Sequence, residues 1–308
     1  MIEVQKKINY EAFGLNVFSE YPLPELPQYI GKKETADVVI EIGDLSLLWN
    51  DLDAKPERYL MVGNSLIFQI PSVATFYIQE GKKITVSPLM GSDEDEIRLY
   101  ILGTCMGAIL MQRRVLPLHG SAVAVDGKAY AFIGDSGVGK STLASAFLEN
   151  GYELISDDLI PVSISSDNIP FIFPAYPQQK LWQESLDEFG KESSKYRHVY
   201  KRETKYAIPV RSKFAKVSLP LSGIFELVKT EGENIEIHPI NGLERLLMLN
   251  LNTYRNTLIA RLGLTDWHFN TITGIAKQVE TFQLKRPNSR FTAYQLVERI
   301  LLQLKKGK

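Results

Sequence analysis

Nine consecutive residues near the middle of the chain concentrate its chemistry: Gly134, Asp135, Ser136, Gly137, Val138, Gly139, Lys140, Ser141 and Thr142. The first eight fit the phosphate-loop spacing G-x-x-x-x-G-K-[ST]. Glycines so placed let backbone N–H groups converge on phosphate oxygens, Lys140 reaches the outer phosphates, and the Ser141 hydroxyl can ligate Mg²⁺. Farther on, Asp157 and Asp158 stand side by side. Such a pair can simply begin a turn. Beside a phosphate loop it can also divide labour, one carboxylate ligating Mg²⁺ and the other taking the proton of an attacking hydroxyl. His119 lies upstream in Leu116–Ser121. An isolated histidine is more often structural than catalytic, but an imidazole hydrogen-bonded to Asp157 would hold that carboxylate or share its proton.

The flanking elements decide whether these groups meet. Ala129–Ile133 reads as a strand entering the loop, and Lys140–Asn150 as an amphipathic helix leaving it, with Gly151 at its C′ position. Ser121–Val125 and Lys128–Ile133 flank Asp126-Gly127, a two-residue hairpin signal. The entering strand is then antiparallel to its predecessor, whereas a βαβ unit requires a crossover. Tyr152–Ile155 reads as a strand returning along the helix and ending at the acidic pair, which brings both carboxylates to the phosphate end.

The rest of the chain reads as a mixed α/β (α+β) protein. Residues 1–92 are β-rich, with strand-like runs at Val38–Ile42, Leu66–Ile70, Ala74–Ile78 and Ile84–Val86. Tyr21–Pro27 carries three prolines and is expected to be extended. Residues 93–114 form a connecting helix that opens at Ser92 with an acidic first turn and closes at Arg113 and Arg114. Residues 115–308 form the second domain, with further helices at Gly242–Tyr254 and Thr292–Leu304, the last opening on a Thr292…Gln295 capping box. Arg255 is read as the cation ending the first of these.

Composition narrows the function classes. The chain has 308 residues, is 44% hydrophobic and 23% charged, and balances 35 Lys+Arg against 36 Asp+Glu. A basic excess that would advertise nucleic acid or an anionic membrane is absent. The one cysteine, Cys105, rules out an intrachain disulfide and reads as core. Met1–Leu15 lacks the apolar core of a signal peptide, and the longest uncharged apolar run, Leu99–Met111, is too short for a bilayer. The expectation is a cytoplasmic protein with no nucleic-acid or membrane partner, whose state of self-association, homo-oligomer or monomer, the sequence leaves open.

His119–Val125, Gly134–Ser141 and Leu154–Asp158, in this order, resemble the HPr kinase/phosphorylase family, whose catalytic domain is related to phosphoenolpyruvate carboxykinase. The resemblance implies a carboxykinase-like phosphate-loop kinase domain with a mixed sheet. It also implies ATP and Mg²⁺ as cofactors, with the nucleotide held by Gly134 through Thr142. His119 would then support catalysis with Lys140, Asp157 would be the general base, and Asp158 would hold metal with Ser141. Thr142 stands where that family usually has an acidic residue, and the family's second signature is missing, as is any reason to expect its hexamer.

Softer motifs look like one branch, the HPr-kinase-like peptide kinases of lasso-peptide biosynthesis: Phe13–Leu26, Tyr176–Trp182, Pro220–Leu227 and Leu284–Pro287. That branch implies transfer of the γ-phosphate to a serine of a ribosomally made precursor peptide. Two alternatives stay open, a protein kinase for HPr or a similar small protein, and a nucleotide-binding regulatory module without transfer. Tyr196–Lys205 is either a solvated loop or a mobile lid bringing Arg202 or Lys205 to the phosphate. Lys180 is a candidate ligand for phosphate or a peptide carboxylate, and Trp182 reads as packing.

Overall fold

A computed structural model describes residues 7–29, 35–52, 59–199 and 202–306. The chain divides into two compact units, Met1–Leu116 with Arg255–His268, and Pro117–Tyr254 with Phe269–Lys308.

The first unit is built on a mixed sheet. Its strands are β1 (Ile8–Ala12), β2 (Leu15–Ser19), β3 (Val38–Ile42), β4 (Leu60–Val62), β5 (Ser65–Ile70), β6 (Ala74–Gln79) and β7 (Lys83–Pro88), in spatial order β1-β2-β3-β7-β6-β5-β4. The four anticipated runs are β3, β5, β6 and β7. The β1–β2 hairpin was not anticipated, because its turn residues are Phe13 and Gly14, both at positive φ (57° and 71°). A phenylalanine seldom adopts that conformation; here its ring is buried in the core.

The proline-rich stretch departs from the extended expectation. Leu26 N–H donates to Leu23 O at 3.0 Å, closing a turn with Pro24 at its second position, where a fixed φ favours turning. A short helix α1 (Ser46–Asp51) follows β3. The later helix starts at Asp93 rather than Ser92, since the Asp93 carboxylate accepts the Asp95 and Glu96 amides. It runs through α2 (Glu94–Tyr100), a wider π-helical turn at Ile101–Cys105 and α3 (Met106–Gln112), with Cys105 fully buried.

The second unit runs β8 (Leu116–Val125), β9 (Lys128–Ile133), α4 (Lys140–Glu149), β10 (Glu153–Ile164), β11 (Pro170–Ile172), β12 (Gln178–Trp182), α5 (Gln183–Glu188), β13 (Arg197–Val199), β14 (Arg202–Pro209), β15 (Leu219–Thr230), β16 (Glu236–Pro239) and α6 (Leu243–Leu251). After α7 (Thr257–Arg261), which belongs to the first unit, come α8 (Thr265–Gln278), β17 (Glu280–Pro287) and α9 (Ala293–Lys306). The main sheet has order β11-β10-β8-β9-β15-β17-β16, and β12-β14-β13 form a second sheet.

The hairpin forms as expected. β8 and β9 are antiparallel with Val125 opposite Lys128, and Asp126 and Gly127 both take positive φ. On its other side β9 pairs in parallel with β15, and β15 with β17, so three strands run in the same direction toward the loop, β15 and β17 continuing past the end of β9. Phe132 on β9 stacks on Phe147 of α4 at 5.3 Å between ring centroids, fixing the helix against the sheet.

Three local expectations are corrected. β10 does not end at the acidic pair but continues to Ile164, with Asp158 at φ 75° as a kink inside it. α6 stops at Leu251, and Arg255, at φ 50°, lies beyond the helix instead of ending it. The Thr292…Gln295 capping box is not made, because Gln295 accepts from Arg290 and the buried Thr292 hydroxyl has no hydrogen-bond partner among the described residues.

Candidate active site

The glycine loop joins β9 to α4 with Gly134, Gly137 and Gly139 all at positive φ (130°, 80° and 107°). At Gly134 a side chain is doubly excluded, since a Cβ there would lie 2.6 Å from the Leu227 carbonyl oxygen of β15. The crest, Asp135-Ser136-Gly137, is exposed and Val138 is buried beneath it. The Gly134 amide is already engaged, donating to Asn252 Oδ1 at 2.8 Å. Arg286, at the end of β17, donates from Nε to Val138 O at 2.8 Å, and its guanidinium lies against Gly139.

Lys140 opens α4, and its buried ammonium turns back to the Gly134 and Asp135 carbonyls, each 2.8 Å away. Burial pushes its pKa down, while Asp158 and Asp157 oppose the shift. Ser141 follows beside Asp157. The Thr142 hydroxyl is instead shared with Ser185 of α5 at 2.8 Å.

The two acids occupy different surroundings. Asp157 is buried: Oδ1 accepts from the Ser121 hydroxyl of β8 at 2.6 Å, and Oδ2 from the Lys180 backbone N–H of β12 at 2.8 Å. Burial raises its pKa, and the bonds from Ser121, Lys180 and the Ser141 hydroxyl pull the other way. Asp158, at the kink, receives the Lys180 ammonium at 2.7 Å on Oδ2 and the His119 ring at 3.6 Å from Oδ1. Burial disfavours its charge, but Lys180 and His119 outweigh that and hold its carboxyl well below the usual range. In turn, Asp158 overcomes the desolvation of Lys180 and raises the lysine pKa.

His119 therefore meets Asp158 and not Asp157. Its Nδ1 lies 3.0 Å from the Asp158 carbonyl oxygen. A carbonyl only accepts, so Nδ1 carries the proton. Burial and the Lys140 charge lower the imidazole pKa, favouring the neutral ring. The His119 N–H is held by the Asn252 carbonyl at 2.8 Å.

The structure thus gathers His119, Lys140, Ser141, Asp157 and Asp158 around one end of α4. Lys180, expected to bind phosphate or carboxylate, spans both acids. Ser121 and Asn252 were missed: one lies in an expected strand and the other inside the expected helix Gly242–Tyr254, and neither position carries a local signal of a role at the loop. The Tyr196–Lys205 segment supplies strands β13 and β14 rather than a loop, and Lys205 stands opposite Trp182 with its ammonium 5.2 Å from the indole centroid. Residues 200 and 201 and the Arg202 side chain lie outside the described residues.

Among the described residues no group of three or more His, Cys, Asp or Glu side chains could hold a metal unaided. Hydroxyl and carboxylate oxygens do suit Mg²⁺, which usually takes one or two protein carboxylates together with substrate phosphates. No helix among the described residues is long and apolar enough to cross a membrane.

No family model matches the chain. The HPr kinase/phosphorylase of Mycoplasmopsis pulmonis (strain UAB CTIP) is 39% identical over 64 residues, 20% of this chain and 21% of that protein. The HPr kinase/phosphorylase of Treponema pallidum (strain Nichols) is 43% identical over 53 residues, 17% of each chain. Among solved structures, the Hpr(Ser) kinase/phosphatase from Coxiella burnetii aligns over 62% of this chain and 99% of its own at 14% identity, with a TM-score of 0.34. The match spans about a fifth of the length of these curated relatives, and over that stretch the chain is similar to HPr kinase/phosphorylases.

Proposed function

We propose that the chain is an ATP- and Mg²⁺-dependent serine kinase with a carboxykinase-like catalytic unit, acting on a ribosomally made precursor peptide. The observation that carries this reading is the cluster in which Asp157 accepts from Ser121 and from the Lys180 main chain beside the start of α4, while Asp158, one residue on, faces His119 and Lys180. The antiparallel hairpin feeding the loop and the mixed sheet support the carboxykinase-like arrangement.

In the reaction, the serine oxygen forms a bond to the γ-phosphorus as the bond to the β-phosphate bridging oxygen breaks, and that electron pair leaves on ADP. Asp157 takes the hydroxyl proton, for which its raised pKa suits it better than Asp158. Lys140 and the loop amides hold the phosphates once the ammonium leaves its two loop carbonyls. His119 fixes the backbone of Asp158 through Nδ1–H. When bound, Mg²⁺ offsets charge on the transferred phosphoryl, and Ser141 and Asp158 are the residues that would hold it.

A second reading, a kinase for HPr itself, is favoured by the names of the relatives. The two separate when purified HPr and serine-bearing precursor peptides are offered with ATP and Mg²⁺ and followed by mass spectrometry. A phosphoryl gain on a peptide serine supports the first reading, and a gain on HPr alone supports the second. A gain on neither removes both.

A further inference from the structure

Lys180 is the one described residue that bonds both acids, and it does so with different atoms. Its main-chain N–H donates to Asp157 Oδ2 at 2.8 Å and its ammonium to Asp158 Oδ2 at 2.7 Å. It sits mid-strand in β12, opposite Ala207 of β14, and the neighbouring Gln179 reaches the Ser141 carbonyl at 3.4 Å. The side chain is only 12% exposed. A full positive charge therefore rests on the carboxylate oxygen that a cation bound to Asp158 would share.

We infer that Lys180 is a resident counter-ion that competes with the divalent metal for Asp158 and makes metal loading conditional on nucleotide. The inference rests on the phosphotransferase reading above. Without nucleotide, the ammonium satisfies Asp158, and a metal ion entering alone at this partly exposed carboxylate meets a like charge at contact distance, well inside the screening length of salt. Phosphates bring negative charge of their own, which gives both cations a partner. Metal and nucleotide then bind as a coupled pair. The main-chain bond to Asp157 is independent of the side chain, so substitution at this position tests Asp158 alone.

The test measures Mn²⁺ binding by electron paramagnetic resonance on the full chain, with and without a non-hydrolysable ATP analogue. Lys180→Met keeps the aliphatic stem and removes the charge. Expected is Mn²⁺ affinity in the nucleotide-free variant at least about tenfold above wild type, consistent with losing one close like-charge contact. Lys180→Arg should behave as wild type, and in an Asp158→Asn background Lys180→Met should change nothing. Equal nucleotide-free affinities in wild type and Lys180→Met would overturn the role of Lys180 while leaving the kinase reading intact. Failure of wild type to bind Mn²⁺ even with the analogue would overturn both. Should Lys180→Met not fold, judged by circular dichroism, Lys180→Gln is read against the same two outcomes.

Discussion

Asn252 Oδ1 accepts the Gly134 N–H at 2.8 Å. The same residue's carbonyl takes the His119 N–H, also at 2.8 Å, so one residue just past α6 ties the glycine loop to the histidine strand. One donor of the loop is thereby spent on shape and is not offered to phosphate.

Asn252→Ala leaves the Gly134 donor unpaired and should cost about 1–3 kcal/mol in denaturant unfolding, with weaker nucleotide binding. Asn252→Asp keeps an acceptor but places an anion beside the loop. It should hold stability better than the alanine variant and still bind nucleotide less tightly, as titration calorimetry would show.

Asp157→Asn should leave nucleotide affinity nearly unchanged and reduce transfer by about 10²–10⁴-fold. Undiminished turnover would remove the base assignment. Because burial raises the Asp157 pKa and the base must be ionised, kcat should climb with pH along a limb displaced above the ordinary aspartate value of about 4.

The loop glycines should not be equivalent. Gly134→Ala combines φ 130° with a 2.6 Å approach to Leu227 O, whereas Gly139→Ala meets only the Arg286 side chain, at 3.4 Å, and Gly137→Ala meets nothing within 4 Å. Thermal unfolding should rank them in that order of damage, the first losing upwards of about 1–3 kcal/mol. A Gly137→Ala variant as unstable as Gly134→Ala would contradict the steric account.

Most of this arrangement was legible in the sequence where local chemistry dictates it. Asp126-Gly127 accepts the left-handed backbone a two-residue hairpin needs, and the glycine-lysine-serine run marks the strand-to-helix passage. What stayed hidden depends on contacts distant in sequence. The acidic pair looked like a strand end, because a strand that kinks at Asp158 and continues for six residues more is held by His119 and Lys180, which no local pattern links to it. Arg286 stood out only as part of a short motif, and its bond to Val138 arises from the parallel order β9-β15-β17. The β1–β2 turn carried no local signal, because a phenylalanine seldom takes positive φ and Phe13 is held there by burial in the core.

The two acids should also pull stability in opposite directions as pH changes. Asp158 has a depressed pKa, so its contribution is present above the ordinary carboxylate range and is lost as pH falls through the folded value. Asp157 has a raised pKa, so the fold is favoured with it protonated and loses that advantage as pH rises through the folded value. In urea unfolding series, the penalty of Asp158→Asn should shrink on acidification, whereas any penalty of Asp157→Asn should grow. Parallel trends for the two variants would refute the assigned environments.

The chain passes between its two compact units three times, at residues 116–117, 254–255 and 268–269. Arg261 donates to the Tyr59 carbonyl and Trp267 lies under Arg114, so the inserted stretch is furnished by residues much earlier in the chain. Shortening the protein to begin at Pro117 would orphan that stretch, and a single proteolytic nick would leave the units still tethered. Gene fusion or shuffling could not exchange them as separate cassettes; they must be inherited together.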